Sequence, residues 1–243
     1  MPEKVVPGPV SEERCIREAV CIHTKKIFDS CKDKDCIEDL RVYPTRGCQE
    51  VIDRAVSVKA GCAELLYAYI NQPEKRAFPE MNQYDLALRL LGLLGSSTAA
   101  ILQTIKGIVK RLQGLENAAD ELSQWQEIQT AAESIPQDAK AGELLTVLKQ
   151  GFSLMKKTGA KQKAVIFTES VETQKMLQNL LSDRYRTLAY NGSADYSVIR
   201  QFKEDGEVLI STDNGAKGFN LEEAAFIIHY DLPYNTLKLE QRI

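Results

Sequence analysis

The stretch Ser211–Asn220, STDNGAKGFN, places Thr212, Asp213, Gly215, Gly218 and Asn220 within ten residues, directly after an apolar run. Hydroxyls and main-chain N–H groups suit phosphate oxygens, and a backbone without Cβ can turn sharply and approach an anion closely. Asp213 and Asn220 can brace such a loop by bonding its backbone. Three more clusters of small polar, glycine or acidic residues also follow apolar runs: Thr168-Glu169-Ser170, Asn191-Gly192-Ser193 and Asp231-Leu232-Pro233. One such loop is weak evidence, because glycine and asparagine are common in any strand-to-helix connection. All four carry hydroxyls or main-chain N–H groups that suit phosphate oxygens.

The elements that must position these clusters are short. KAVIF, YRTLAY, EVLIS and AAFIIHYD read as strands, and VETQKMLQNLL and DYSVIRQFKE read as the helices between them. Strands alternating with helices predict a parallel sheet with crossover connections. Ligands of such a sheet bind beyond the carboxyl ends of its strands, where the four clusters fall. His229, on the last predicted strand, has no neighbour that would make it part of a nucleophilic pair and reads as a packed residue.

Upstream the rhythm differs. Leu86, Leu90, Leu93 and Leu94, then Ile101, Ile105, Ile108, Val109 and Leu112, keep a helical period, with a cap signal at Ser96–Thr98. Further helices are expected at 121–133 and 138–150. These stripes read as core. Ala63–Ile70 is compatible with a strand or a helix end. The run NQPEKRAFPEMNQ reads as a linker. All six cysteines lie at or before Cys62, a composition shift that suggests two pieces. The expected organisation is a cysteine-rich segment over 1–70, a linker over 71–83, a helical connector over 84–160 and the α/β lobe over 161–243. A net charge of −3 gives no global basic field, though a groove can still be locally basic. No targeting segment or membrane-length apolar run is visible, so the expected location is cytoplasmic.

The motifs in their order carry a resemblance. LISTDNGAKGFNLEEAAFIIHYDLPYNTLKLEQRI is similar to the fifth motif of superfamily-two helicases running into the sixth, with T-D-x-x-x-x-G-x-N-L followed by a strand and Y-D-x-P. KAVIFTES resembles the fourth motif, and AYNGS with IRQF the turn and helix between. The chain over 161–243 thus resembles the second RecA-like lobe of bacterial Swi/Snf-type helicase-like ATPases, and 84–113 resembles the connector before it. The resemblance implies that Thr168, Ser170, Gly192 and Ser193 touch a nucleic-acid backbone, expected to be double-stranded DNA. It implies that Thr212, Asp213 and Gly215 link that side to the nucleotide side, and that Gly218, Asn220, Gln241 and Arg242 face an ATP cleft. ATP and Mg²⁺ would be held together with a first RecA-like lobe.

Departures qualify that expectation. No Walker-type glycine-lysine loop and no acidic D-E-x-H strand occurs in the 243 residues. Tyr234 stands where many relatives have tryptophan, and the sequence given stops at EQRI, before the family's later arginines. Losing such an arginine finger removes on the order of 10³–10⁵ in rate. The expectation is a fragment of a nucleic-acid-dependent ATPase, inactive alone and needing no cofactor by itself. The alternative is a non-catalytic interaction protein acting through its cysteine-rich head. That head, from Cys15 to Ile70, resembles the start of an uncharacterised cysteine-containing bacterial family. Cys15, Cys21, Cys31, Cys36 and His23 include one C-x₄-C spacing and no second tight pair, so no metal site is expected.

Overall fold

A computed structural model describes residues 21–23, 59–135, 138–192, 196–213, 224, 226–232 and 242. The chain divides into two compact units. One comprises 1–15 and 46–139, and the other 16–45 and 140–243.

In the first unit the described residues are helical: α1 over 59–70, α2 at Gln83–Ser96, α3 at Thr98–Leu112 and α4 at Ala119–Glu133. The ambiguous run at 63–70 is helix. Asn82 Oδ1 accepts from the Asp85 amide at 2.9 Å to start α2, and Ser97 Oγ accepts from the Ala100 amide at 3.1 Å to start α3. The leucine and isoleucine stripes read from the sequence face one core with Leu66, Tyr69, Phe78, Trp125 and Ile128. Residues 71–83, expected as a linker, are built into this unit as far as α2. Glu121 accepts from the Arg76 amide (2.8 Å), the Ala77 amide (3.0 Å) and the Tyr69 hydroxyl (2.6 Å), and Phe78 is buried. Cys62 is buried in the same core, and burial pushes its thiol up to about 11, so it stays protonated at neutral pH. Lys59 opposes that shift. Cys15, Cys31, Cys36 and Cys48 lie outside the described residues, and among the described residues no group of His, Cys, Asp and Glu could hold a metal.

The second unit is the expected α/β lobe. Helix α5 (Ala139–Thr158) leads into β2 (Ala164–Thr168), α6 (Val171–Ser182), β3 (Thr187–Tyr190), α7 (Ser197–Glu204), β4 (Val208–Thr212) and β5 (Phe226–His229). The parallel strands run in the order β3-β4-β2-β5. A short strand from the cysteine-rich segment, β1 (Cys21–His23), pairs antiparallel with β5, Ile22 opposite Ile228. Alternate residues of the central strands face opposite sides. Ala164, Ile166, Val208, Ile210, Phe226 and Ile228 pack on α5 and α6, and Val165, Phe167, Leu209 and Ile227 pack with Ile199 and Phe202 of α7. That double covering explains why β2 and β4 are apolar without alternation. The segment expected as one connector over 84–160 is therefore divided, because α5 belongs to the sheet's core.

The α5–β5 contact is close because position 151 is glycine. A Cβ built there would stand 2.4 Å from Phe226 Cε1, and Phe226 is fully buried. Gly151→Ala would gain about 1 kcal/mol in helix propensity. Overpacking against a confined ring costs about 1–3 kcal/mol. We expect a net loss of stability of up to about 2 kcal/mol, read by urea unfolding followed by circular dichroism. No helix of the described residues is long and apolar enough to cross a membrane.

Candidate functional site

The parallel register brings the carboxyl ends of β2, β4 and β5 to one edge: Thr168 lies opposite Thr212, and Phe167 opposite His229. Just past β5, the amides of Tyr230 and Asp231 both donate to the Phe167 carbonyl, at 2.9 and 3.2 Å. That turn aims the Asp231 side chain under the loop that follows β2. Its Oδ2 accepts from the Thr168 hydroxyl at 2.5 Å and from the Glu169 amide at 3.0 Å. Its Oδ1 accepts from Lys140 Nζ at 2.7 Å. Asp231 is 7% exposed, and a carboxylate so placed requires a cation and further donors, both of which it has. The same ammonium lies 4.3 Å above the Tyr230 ring.

Arg242 ties a second pair of ends together. Its Nε donates to Asp213 Oδ1 at 2.8 Å, Nη2 donates to the same oxygen, and Nη1 donates to the Asp231 carbonyl at 2.7 Å. The guanidinium lies over the Phe167 ring, which is itself stacked on His229. Arg242 is 1% exposed. The guanidinium, expected on the ATP-facing side, clasps the segments after β4 and β5. Asp213, expected to link two functional sides, is its partner.

The other predicted residues take distinct positions. Thr168 is fully buried and its hydroxyl serves Asp231, so it supports the loop from below and is not on its surface. Thr212 is likewise buried at the end of β4. Ser170 is half-buried and caps α6, its Oγ accepting from the Thr173 amide at 3.3 Å. Gly192 is exposed after β3 with φ of 83°, a left-handed conformation that side-chain-bearing residues rarely adopt. Ser193, Gly215, Gly218, Asn220 and Gln241 lie outside the described residues.

Three contributors carried no functional reading in the sequence. Gln174 is 3% exposed, and its amide donates to the carbonyls of Tyr190 (2.9 Å) and Ile210 (2.8 Å), joining the end of β3 to the middle of β4. Lys140 holds Asp231, and Lys163 donates to the Phe202 carbonyl and to that of Gly206 (3.0 Å), closing the end of α7. The signal for Gln174 and Lys140 is a polar residue on an apolar helix phase. Gln174 shares a stripe with Leu177 and Leu181, and Lys140 with Leu144 and Leu148. The described residues offer main-chain donors, a capped helix start and braced strand ends, which is chemistry for holding an anion and not for covalent catalysis.

Residues 143–243 match the helicase conserved C-terminal domain family. The chain is 32% identical over 154 residues to an uncharacterized ATP-dependent helicase, YqhH, of Bacillus subtilis, covering 61% of this chain and 26% of that protein. It is 25% identical over 237 residues to the RNA polymerase-associated protein RapA of Vibrio parahaemolyticus, covering 90% of this chain and 22% of that protein. A DEAD-box ATP-dependent RNA helicase, RhpA, of Helicobacter pylori is 30% identical over 92 residues, 35% of this chain and 19% of that one. The crystal structure of the Pyrococcus furiosus Hef helicase domain shares the fold, with a TM-score of 0.50 at 16% identity over 76% of this chain and 50% of that chain. The chain thus spans about a quarter or less of the length of these curated relatives.

Proposed function

This chain carries a helicase C-terminal, RecA-like lobe over residues 143–243, and we propose that the lobe contributes nucleic-acid backbone contacts to a Swi/Snf-type, ATP-dependent translocase in the cytoplasm. The observation that carries this reading is the braced carboxyl edge, where Asp231 and Arg242 hold the segments after β2, β4 and β5 in fixed relation. The proposed contacts come from Ser170, Gly192, Ser193 and Gly215, with Thr168, Thr212 and Asp213 supporting them. The proposed ligand is double-stranded DNA, held through phosphates.

ATP and Mg²⁺ would act between this lobe and a first RecA-like lobe. Gly218, Asn220, Gln241 and Arg242 are the proposed nucleotide-side positions, with Arg242 braced by Asp213 and the Asp231 carbonyl. No step of ATP chemistry is assigned to these residues. The 243 residues contain no glycine-lysine phosphate loop, so this chain by itself is expected not to turn over ATP.

Fluorescence anisotropy with labelled duplex DNA tests the binding. Binding held through phosphates is expected to weaken as salt rises from about 50 to about 200 mM. Absence of binding at 50 mM salt, or affinity indifferent to salt, overturns the reading. Phosphate release from ATP by the purified chain would overturn its inactivity alone.

A further inference from the structure

Lys140 lies three residues before the matched helicase segment, in the first turn of α5. A cation there opposes the helix dipole, so the position gains nothing from its own helix. Its side chain is 13% exposed, its ammonium is 2.7 Å from Asp231 Oδ1, and the Asp231 side chain is 8% exposed. The other oxygen of that carboxylate holds the Thr168 hydroxyl and the Glu169 amide, the two residues before the Ser170 cap. One buried anion therefore has Lys140 on one side and the entry to α6 on the other.

We propose that Lys140 is a positioning residue for the phosphate-contacting loop after β2, acting through Asp231. The proposal rests on the nucleic-acid reading above for its purpose, and on the hydrogen bonds alone for its mechanism. With the ammonium in place, the Asp231 carboxylate is anchored as an anion and directs Oδ2 at Thr168 and Glu169. Without it, the carboxylate is a buried charge short of its cation. It must then turn toward water or take up a proton, and either change releases the loop. Methionine at 140 would keep the length and the apolar stem and remove the charge. Arginine would restore it.

The test combines amide hydrogen exchange with duplex-DNA anisotropy on the full chain. Lys140→Met should raise exchange at 169–173 by about tenfold over any change in the cores of β2 and β4. It should weaken duplex binding several-fold. Lys140→Arg should return both toward wild type. The double variant Lys140→Met/Asp231→Asn should also recover protection of 169–173, because an asparagine carbonyl still accepts from Thr168 and Glu169 and needs no cation. That variant serves equally where Lys140→Met fails to fold. Unchanged exchange at 169–173, a uniform rise across the unit, or a double variant as exposed at the loop as Lys140→Met would overturn the proposal. Wild-type chain that binds no duplex defeats the nucleic-acid reading and leaves the exchange result to decide the role of Lys140.

Discussion

Arg242→Ala is expected to destabilise the sheet unit by about 3–5 kcal/mol, the range for removing one partner of a buried ion pair. The reason is local. A guanidinium that is 1% exposed engages the Asp213 carboxylate and the Asp231 carbonyl. Removal leaves both acceptors short of a donor and leaves a void over the Phe167 ring. Arg242→Lys keeps the charge but not the planar fork that reaches two acceptors, so only a partial recovery is expected. Asp213→Asn should cost less than Arg242→Ala, because the Asp213 side chain is 20% exposed and water can replace part of what is lost. Urea unfolding followed by far-UV circular dichroism measures all three. An alanine variant as stable as wild type would show that Arg242 is not an internal clasp.

The second large effect is expected in the helical unit. Trp125→Ala should destabilise it by about 3–5 kcal/mol, the range for truncating a large buried aromatic. Trp125 is fully buried, edge-on to Tyr69 with ring centroids 4.7 Å apart and tilted against Phe78 at 6.2 Å. It stands one turn beyond Glu121, which fastens the 71–83 segment through two amides and the Tyr69 hydroxyl. Cavity and loop anchoring are therefore coupled. Trp125 is the sole tryptophan of the chain, so in wild type its emission reports unfolding of this unit and not of the sheet. The alanine variant must be followed by circular dichroism. A loss below about 1 kcal/mol would mean that the site collapses around the void, contrary to the packing described.

The sheet was legible because its strands are short apolar runs ended by polar turns. Ala164–Thr168 and Val208–Thr212 fall within a residue of the predicted runs, and the helices at 86–112 carry the stripes that place them. The division between units was not legible. Cysteine content shifts near residue 62, whereas the compact units part at Ala139–Lys140, and composition carries no information about which side chains meet. The 71–83 segment shows the same limit: its prolines and charges read as a linker, but Glu121 fastens it from a helix about forty residues away. The strand at Cys21–His23 is too short to show a period. At the candidate site, the loop residues were visible as types and their supports were not. Thr168 and Arg242 were named as contact residues, yet each is bound inward by a partner, Asp231 or Asp213, that only the folded register supplies. Lys140 and Gln174 carried no reading until their helix phases were set against the sheet.

Gln174 has a mechanical consequence. One amide group grips the last carbonyl of β3 and the mid-strand Ile210 carbonyl of β4 from the helix that crosses behind them. Parallel strands are weakest at their ends, where the ladder stops and each strand can peel alone. With this yoke, tension applied at the Gly192 turn is shared between β3 and β4 and passed into α6, so the edge yields as one body or not at all.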